Sequence, residues 1–251
     1  MTKRVEKEIE NWWDESSKYY QEDSKIHTMS AHYGPFSPNE NKLKLLGNVK
    51  GKKILEIGCG GGQCSIAFAK QGAKCIGIDI SKEQLKYAED LARKNKVKVN
   101  FIHGSYQDLG KIKSNSQDIV FSAFALQYSP DLKKVFKQIH RILKKRGIFL
   151  FSLDHPFYAI MDEKTQKIKR SYYKTGKSIE LEIWPDKTKH KFIIYFRKVS
   201  DFYNSLVESK FFVEKIIEPF KLGGAWNNYY DKNLKLCKLI GPTIIFKTRK
   251  I

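Results

Sequence analysis

The chain has 251 residues, of which 41% are hydrophobic, 13% aromatic and 29% charged, and its formal net charge is +20. This composition excludes a disordered protein, because the aromatic side chains supply enough apolar surface for a core, and the length suits one large α/β domain or a domain with an addition. The positive charge is spread along the chain and comes mainly from lysine. Such a distribution is typical of a solvated surface and leaves nucleic-acid binding open as an alternative.

Targeting and cysteine patterns favour a reducing cytoplasm. No stretch approaches the roughly 18 consecutive apolar residues of a membrane helix, and the charged residues 1–14 lack the apolar segment of a signal peptide. The four cysteines are spaced irregularly, as neither a disulfide framework nor a zinc ribbon would be: Cys59, Cys64, Cys75 and Cys237. We expect a cytoplasmic protein with no membrane contact and no metal site.

The N-terminal part, residues 1–48, is predicted to form a helical segment and a lid. Residues 3–22 have the pattern of one amphipathic helix with an aromatic face, and the turn-rich stretch 33–38 follows. Aromatic stripes usually belong to a core, and we favour the core for Trp12 and Trp13. For Tyr20 and Tyr33 we predict a place beside the substrate.

From residue 51 to residue 154 the chain alternates short β-branched runs with helical stretches, as parallel βαβ units do. Ser81, with Gln84 three residues on, predicts a capping box, and Ser129-Pro130 predicts the start of a later helix. The predicted strands are 53–57, 74–78, 97–102, 118–123 and 148–153. Further on, we expect a strand at 190–199, a helix at 201–209 and a closing antiparallel pair, 211–218 with 244–247.

These elements predict an α/β fold, a doubly wound and mostly parallel sheet of seven strands with helices on both faces and a small cap. Residues 49–251 would form this Rossmann-like domain, with an insertion at 155–188. A sheet of this kind places its ligand crevice at the carboxyl ends of the strands.

The most informative segment is a glycine-rich turn between the first strand and its helix. Glu56, Gly58, Gly60 and Gly62 follow the pattern acid-x-G-x-G-x-G. Glycines allow the backbone to approach a ligand closely, and a helix N-terminus favours an anionic group. Asp79 ends the second strand, where a carboxylate can accept hydrogen bonds from both ribose hydroxyls. Together they predict a cofactor of the adenosine type.

The spacing distinguishes among such cofactors. The dinucleotide fingerprint G-x-G-x-x-G requires glycine where this chain has Gln63, and no P-loop pattern is present. The glycine pattern resembles motif I of the class I S-adenosylmethionine-dependent methyltransferases. The resemblance continues through "QDIVFSAFALQY" and "VFKQIHRILKKRGIFLFS", at the spacing of the UbiE-like small-molecule methyltransferases, and is strong over residues 50–155. It implies a transferase that uses S-adenosyl-L-methionine and releases S-adenosyl-L-homocysteine.

The resemblance also implies roles for individual residues. The loop, with Gly58, Cys59, Gly60, Gly62 and Gln63, would line the methionine part of the cofactor, and Glu56 would orient its ammonium group. Asp79 would bind the ribose and Ile80 the adenine face. Ala123 and Phe124 would flank the methionine from the other side.

At the adenine edge the chain departs from the family. The family often has Gly-Asp-Ala after the third strand, whereas this chain has Gly104-Ser105-Tyr106. We assign Ser105 and Tyr106 to the adenine edge, with Asp108 as a possible substitute for the missing acid. Asp118, which opens the fourth strand, is expected to be structural.

Sulfonium methyl transfer needs alignment and exclusion of water more than a dedicated catalytic group. A general base helps only if the acceptor is protonated. His155, at the end of the fifth strand, is our candidate base. The alternative is a structural role, with its imidazole bonding the following loop. Tyr158 is predicted to join Tyr20 and Tyr33 around the substrate.

Three hypotheses for function follow. The first is methyl transfer to a small-molecule acceptor enclosed by the N-terminal segment and the 155–188 insertion. The second is an RNA methyltransferase, such as one acting on tRNA, that uses the spread charge and a basic cluster: Lys164, Lys167, Lys169, Arg170, Lys174 and Lys177. The third is a non-catalytic module that binds S-adenosylmethionine. The sequence predicts neither the acceptor atom nor the oligomeric state.

Overall fold

The computed structural model describes residues 3–184, 186–220 and 234–251. Seven strands form one sheet in the order β3-β2-β1-β4-β5-β9-β8. The five strands β1 to β5 are parallel, and β9 is antiparallel to both β5 and β8. The strands are β1 Lys53–Ile57, β2 Lys74–Asp79, β3 Val99–His103, β4 Gln117–Ala123, β5 Leu143–Asp154, β8 Phe211–Ile217 and β9 Thr243–Lys250. The predicted fold class is therefore confirmed.

Among the residues described, two helices precede the first strand, three connect parallel strands, and two lie before and between the last two strands of the sheet. They are α1 Lys3–Ser24, α2 Glu40–Leu43, α3 Gln63–Lys70, α4 Lys82–Lys94, α5 Leu132–Ile142, α6 Val199–Glu208 and α7 Leu234–Cys237. Single 3₁₀ turns occupy Leu126–Tyr128 and Tyr158–Ile160. None of the helices in the described ranges is long and apolar enough to cross a membrane.

Hydrophobic side chains cover both faces of the sheet. On one face, Leu55 and Phe149 belong to a buried cluster that includes Val135 and Phe136 of α5 and Phe202 of α6. On the other face, a second cluster joins strand residues to α3 and to residues 31–49. Alternate residues of β1 point to opposite faces, as the period of a strand requires. The result is a sheet buried on both sides, as expected for parallel strands.

Several predicted boundaries are corrected by local hydrogen bonds. The helix predicted to open at Ser129-Pro130 begins at Leu132, because Asp131 caps it by accepting a bond from the Lys134 N–H. Strand β5 begins at Leu143, five residues earlier than predicted. Asp118 has the structural role expected of it, since its carboxylate accepts bonds from Lys53 N at 2.8 Å and Lys144 Nζ at 2.7 Å.

A separate hairpin, β6 Gly176–Ile183 with β7 Lys189–Phe196, lies against α1. Its first strand lies in the predicted insertion, which also contains Pro185, outside the described residues, whereas the pairing of β6 with β7 continues past residue 188. Aromatic rings join the hairpin to α1: the Trp12 and Phe192 centroids are 5.2 Å apart, and those of Tyr19 and Trp184 are 5.3 Å apart. The hairpin therefore packs against α1 through these aromatic contacts.

Candidate active site

A cleft opens at the carboxyl ends of the central parallel strands and is covered by α1. The strand order reverses between β1 and β4, which is where open α/β sheets bind ligands. Eight of the twelve residues predicted to bind a cofactor line this cleft: Gly58, Gly60, Asp79, Ile80, Ser105, Tyr106, Ala123 and Phe124. The structure thus brings together residues from four strand ends.

The glycine loop is shaped by backbone conformation and close packing. Gly58 has φ +64°, and a Cβ added there would lie 2.2 Å from the Cβ of Ala125. Gly62 has φ +75°, and its added Cβ would lie 2.8 Å from the Phe101 ring. Both the left-handed conformation and the contact exclude larger residues. The loop therefore stays close to the cleft floor with its backbone exposed to a ligand.

Asp79 projects from the end of β2 beside this loop. Its Oδ2 accepts a hydrogen bond from Gly60 N at 2.7 Å, and its Oδ1 accepts one from Ser81 N at 2.9 Å. Burial raises the pKa of Asp79, while the backbone N–H groups oppose that rise by stabilising the carboxylate. Each carboxylate oxygen retains a lone pair that can accept a ribose hydroxyl.

The remaining four predicted cofactor residues do not line the cleft. Gly62 and Gln63 begin α3, and Cys59 is buried beneath the loop, where its thiol pKa is raised by burial. Glu56 is buried beneath the same turn, where its Oε2 accepts bonds from Ser65 N at 2.8 Å and Ser65 Oγ at 2.5 Å. Burial raises the pKa of Glu56 to about 8. Its contacts orient α3 and the loop.

On the adenine side, the assigned side chains have protein partners. Ser105 Oγ donates to Glu6 Oε1 of α1 at 2.8 Å, and Tyr106 OH donates to the Ala125 carbonyl at 2.8 Å. Asp108, the possible substitute, is exposed and accepts a bond from Gly110 N. It is not among the residues that line the cleft.

Phe124 marks the opposite wall and has an unusual backbone. Its φ is +56°, in the left-handed region that non-glycine residues rarely adopt. Its ring packs against Gly34, where an added Cβ would be 1.9 Å from a ring carbon. Gly34 is thus required by the close approach of the ring, and the turn at residues 33–38 supports the cleft from below.

The side of the cleft nearest α1 is aromatic. Trp13 makes edge-to-face contacts with Tyr20, at a centroid distance of 5.3 Å, and with Tyr128, at 5.6 Å. All three rings line the cleft, together with Ile9. We name Trp13, Tyr20 and Tyr128 the aromatic wall. Tyr20, predicted to lie beside the substrate, lines the cleft, and so does Trp13, which was assigned to the core.

Sequence reasoning missed six lining residues: Ile9, Trp13, Gln84, Gln107, Ala125 and Tyr128. Ile9, Trp13 and Tyr20 share one face of α1, and that spacing is a signal that was available. Gln84 and Tyr128 carried none, because their contact with the cleft depends on long-range packing.

His155 has the contacts of the structural alternative. Its Nδ1 accepts a hydrogen bond from Phe157 N at 3.1 Å, in the following loop, and its Nε2 lies 2.9 Å from Glu218 Oε1. With Nδ1 as an acceptor, the neutral ring carries its proton on Nε2 and donates it to Glu218. The buried imidazole is not among the cleft-lining residues. Both ring nitrogens are therefore engaged in holding the loop after β5.

Tyr33 and Tyr158 also lie away from the cleft lining. Tyr33 is fully buried, and its hydroxyl donates to Glu40 while its ring packs near Phe121. Tyr158 is buried in a small cluster with Phe36, and its hydroxyl donates to Glu163 Oε1 at 3.0 Å. Each phenol has a buried position and a carboxylate acceptor, which explains the choice of tyrosine without a ligand.

Charge is sparse in the cleft. Among the described residues that line it, Asp79 is the single Asp or Glu, and none is Lys or Arg. No three His, Cys, Asp or Glu side chains within the described ranges are grouped so that they could hold a metal ion.

Known proteins resemble this chain over the strands and the glycine loop that form the cleft. Residues 55–151 match the family described as "Methyltransferase domain". An uncharacterized protein of Haemophilus influenzae is 29% identical over 236 residues, which are 86% of this chain and 90% of that protein. The ubiquinone biosynthesis O-methyltransferase of Pseudomonas syringae pv. tomato is 30% identical over 141 residues, and the match spans 56% of each chain.

A solved structure shows the same fold. A putative S-adenosylmethionine-dependent methyltransferase from Listeria monocytogenes has a TM-score of 0.64 and 24% identity. The superposition covers 84% of this chain and 97% of that one. The likeness therefore extends beyond the strands of the matched family to most of the molecule.

Proposed function

From the premise that this chain carries a class I S-adenosylmethionine-dependent methyltransferase domain, we propose that it methylates a small, partly apolar acceptor at the aromatic wall. The single observation that carries the proposal is the composition of the cleft. Glycine backbone and one carboxylate line its cofactor side, and aromatic rings without any Lys or Arg line the other.

The residues present fit the cofactor, which supplies an activated methyl group on a sulfonium when bound. We assign the ribose hydroxyls to Asp79, the adenine ring to Ile80 and the strand-end residues Ser105 and Tyr106. The methionine part is assigned to Gly58 and Gly60, facing Ala123 and Phe124. In this assignment Glu56, Cys59, Gly62 and Gln63 shape the loop from beneath.

The chain's contribution to catalysis is positioning. The glycine loop and the strained Phe124 backbone hold one reactant, and the aromatic wall orients the other, so that bond formation and bond breaking lie in line. α1 excludes water from the cleft, which strengthens electrostatic interactions there. Aromatic faces also attract a cationic methyl group. Since Asp79 is engaged with the loop, an acceptor that is already nucleophilic suits this cleft best.

For the domain organisation, we propose that the N-terminal segment 1–48 supplies the lid through α1, while its later part packs in the core, and that the 155–188 insertion is part of the support of α1. The polar contacts of α1 with the sheet edge support a lid that opens and closes. Asp14 Oδ1 accepts a bond from Ser81 Oγ at 2.7 Å, and Glu6 accepts the bond from Ser105. Each of these bonds has a carboxylate acceptor and contributes about 1.5–3 kcal/mol, so opening requires that both break together with the ring contacts of α1.

The acceptor class is also supported by relatives of known activity. Several matched relatives are ubiquinone biosynthesis O-methyltransferases, though this chain spans only about half to 60% of their length. A small aromatic acceptor fits the aromatic wall. The protein would then belong with the UbiE-like small-molecule enzymes and work in the cytoplasm.

One observation favours RNA as the second candidate acceptor. Five members of the basic cluster, Lys164, Lys167, Lys169, Lys174 and Lys177, are exposed. Exposed lysines can bind phosphates through counterion release. Nucleic-acid binding of this kind would occur outside the cleft.

Incubation of the protein with cofactor labelled in its methyl group and a cell extract, with and without RNase, tests the proposal. We expect label in a low-molecular-weight, extractable product that RNase does not remove. Label in RNA would establish the second candidate, and absence of turnover despite cofactor binding would indicate a non-catalytic module. The Asp79→Ala variant is the control for labelling that does not depend on the cleft.

A further inference from the structure

Three buried glutamines form a continuous chain of amide hydrogen bonds across the cleft edge. Gln63 Nε2, at the start of α3, donates to Gln21 Oε1 of α1 at 2.6 Å. Gln21 Nε2 donates in turn to Gln84 Oε1 of α4 at 2.7 Å. The exposed fractions of Gln21, Gln63 and Gln84 are 7%, 4% and 1%. One lid residue thus links the helices that follow β1 and β2.

The glycine loop leaves room for the hydrogen-bonded glutamines. Gly61 lacks the positive φ of Gly60 and Gly62, but a Cβ added to it would lie 2.6 Å from Gln21 Nε2. Its small size therefore serves the close approach of the lid amide. Gln21 rests directly on the loop.

The chain of amides ends in an unused donor at the cleft. Gln84 lines the cleft, and its buried Nε2 has no hydrogen-bond partner within the described structure. In a complete capping box, Gln84 would reach back to the N–H of Ser81. Here Asp79 Oδ1 accepts that N–H at 2.9 Å, so the Gln84 side chain is released toward the cleft. A buried donor without a partner is costly, and a ligand in the cleft that accepts from it removes that cost.

We propose that Gln84 Nε2 binds a ribose hydroxyl oxygen of the cofactor and that Gln21 orients it for this contact. Gln84 Oε1 lies 3.8 Å from the Cβ position of Gly60, and Gly60 N is bonded to Asp79. A hydroxyl that donates its hydrogen to Asp79 retains oxygen lone pairs, and one of these accepts from Gln84 Nε2. Asp79 and Gln84 thus bind the same ribose hydroxyl, Asp79 accepting its hydrogen and Gln84 donating to its oxygen.

Occupancy of the cleft and closure of α1 are thereby coupled. The bound ribose satisfies Gln84, whose oxygen is held by Gln21 of the lid, so ligand and lid stabilise one amide orientation. Hydrogen bonds in such a chain polarise one another and strengthen together. The inference rests on the cofactor assignment of the proposed function and is independent of the methyl acceptor.

Titration calorimetry with S-adenosylhomocysteine tests it without turnover. Gln84→Met keeps the side-chain length and removes the amide, and Gln84→Glu keeps an acceptor for Gln21 but removes the donor. We expect each to raise the Kd about tenfold, and Gln21→Met about threefold. Gln117→Met is the matched control, since Gln117 is buried with an unpartnered Oε1 outside the cleft lining. Its Kd should stay within twofold of the parent.

Two further measurements separate the outcomes. 5′-Methylthioadenosine keeps the ribose and lacks the amino acid, so Gln84→Met should weaken its binding by a similar factor; an unchanged Kd would overturn the ribose contact. Asp79→Ala tests the cofactor site itself. If it abolishes binding while both Gln84 variants bind like the parent, the inference fails and the proposed function stands. If none of them changes the Kd, the cofactor placement fails as well.

Discussion

The two sides of the cleft are built in different ways. The side that we assign to the cofactor is formed by backbone: glycines with positive φ, strand ends and N–H groups that bond Asp79. The side formed by α1 and Tyr128 depends on side chains, namely ring edges and single polar contacts between distant segments. Backbone sterics leave few alternatives, whereas side-chain contacts can change with the acceptor. A shared cofactor and a variable substrate need this division.

The largest expected effect breaks the cofactor side. Gly58→Ala places a Cβ against Ala125 in a left-handed conformation, so the loop must move. We expect S-adenosylhomocysteine affinity to fall by at least about a hundredfold and the free energy of unfolding to fall by about 2–4 kcal/mol. Calorimetry and denaturant unfolding measure the two.

Gly104→Ala is the matched control, because a Cβ at Gly104 meets no atom within 4 Å. It should retain affinity within about threefold. Equal losses in both variants would show that steric exclusion at Gly58 is not what shapes the site.

A second variant sharpens the comparison from the other side. Trp13→Ala removes the centre of the aromatic wall, which contacts Tyr20 and Tyr128. We expect kcat/KM for the acceptor to fall about 30-fold or more, since aromatic contacts and alignment are both lost. S-Adenosylhomocysteine affinity should change by no more than about threefold. Trp13→Phe keeps a ring and should recover part of the activity. If Trp13→Ala lowered S-adenosylhomocysteine affinity as much as kcat/KM, the proposed difference between the two sides of the cleft would be contradicted.

The sequence predicts the backbone-formed side of the cleft better than the side formed by side chains. The glycine spacing and Asp79 are local or nearly local signals, and they located one side of the cleft. The strands were predicted from short β-branched runs and the helices from amphipathic periodicity and caps, because both signals are local. Trp13 was assigned to the core, since an aromatic residue on an amphipathic helix looks the same whether it faces a cleft or a core.

Three residues predicted at the site lie outside the cleft lining, and each is bonded to a carboxylate. Tyr33 bonds Glu40 and Tyr158 bonds Glu163, both close in sequence, whereas His155 bonds Glu218, which follows β8. A spacing pattern does not distinguish a side chain that faces a ligand from one that is buried against such an acid.

The buried acid beneath the loop predicts a pH effect on stability. Burial raises the pKa of Glu56 to about 8, above its value of about 4.3 in an unfolded chain. The folded state therefore binds the proton more tightly. Protonated Glu56 therefore contributes its full share to the free energy of unfolding below the pKa of the unfolded chain. That contribution is lost as the pH rises to the pKa of the folded protein.

Denaturant unfolding of the parent and Glu56→Gln at pH 5 and pH 9 measures this effect. The parent should lose on the order of 4 kcal/mol more than the variant between the two pH values, since about three pH units of linkage lie between pH 5 and the folded pKa. Gln cannot ionise, so it removes this dependence while keeping polar contacts with Ser65. Parallel pH profiles would contradict the assignment of Glu56 as a buried, protonated group.

The smallest expected effect concerns His155, which holds a loop outside the cleft lining. His155→Ala should lower the free energy of unfolding by about 1–2 kcal/mol through the loss of its hydrogen bonds to Phe157 and Glu218. The kcat of the folded variant should stay within about threefold of the parent. A large fall in kcat with unchanged thermal stability would restore His155 as a general base.

A crystal structure with S-adenosylhomocysteine tests the central claim most directly. We predict the ribose at Asp79, the amino-acid part along Gly58 and Gly60, and the sulfur directed toward Trp13 and Tyr128. A nucleoside bound against the aromatic wall, with Asp79 free of the ribose, would contradict the account.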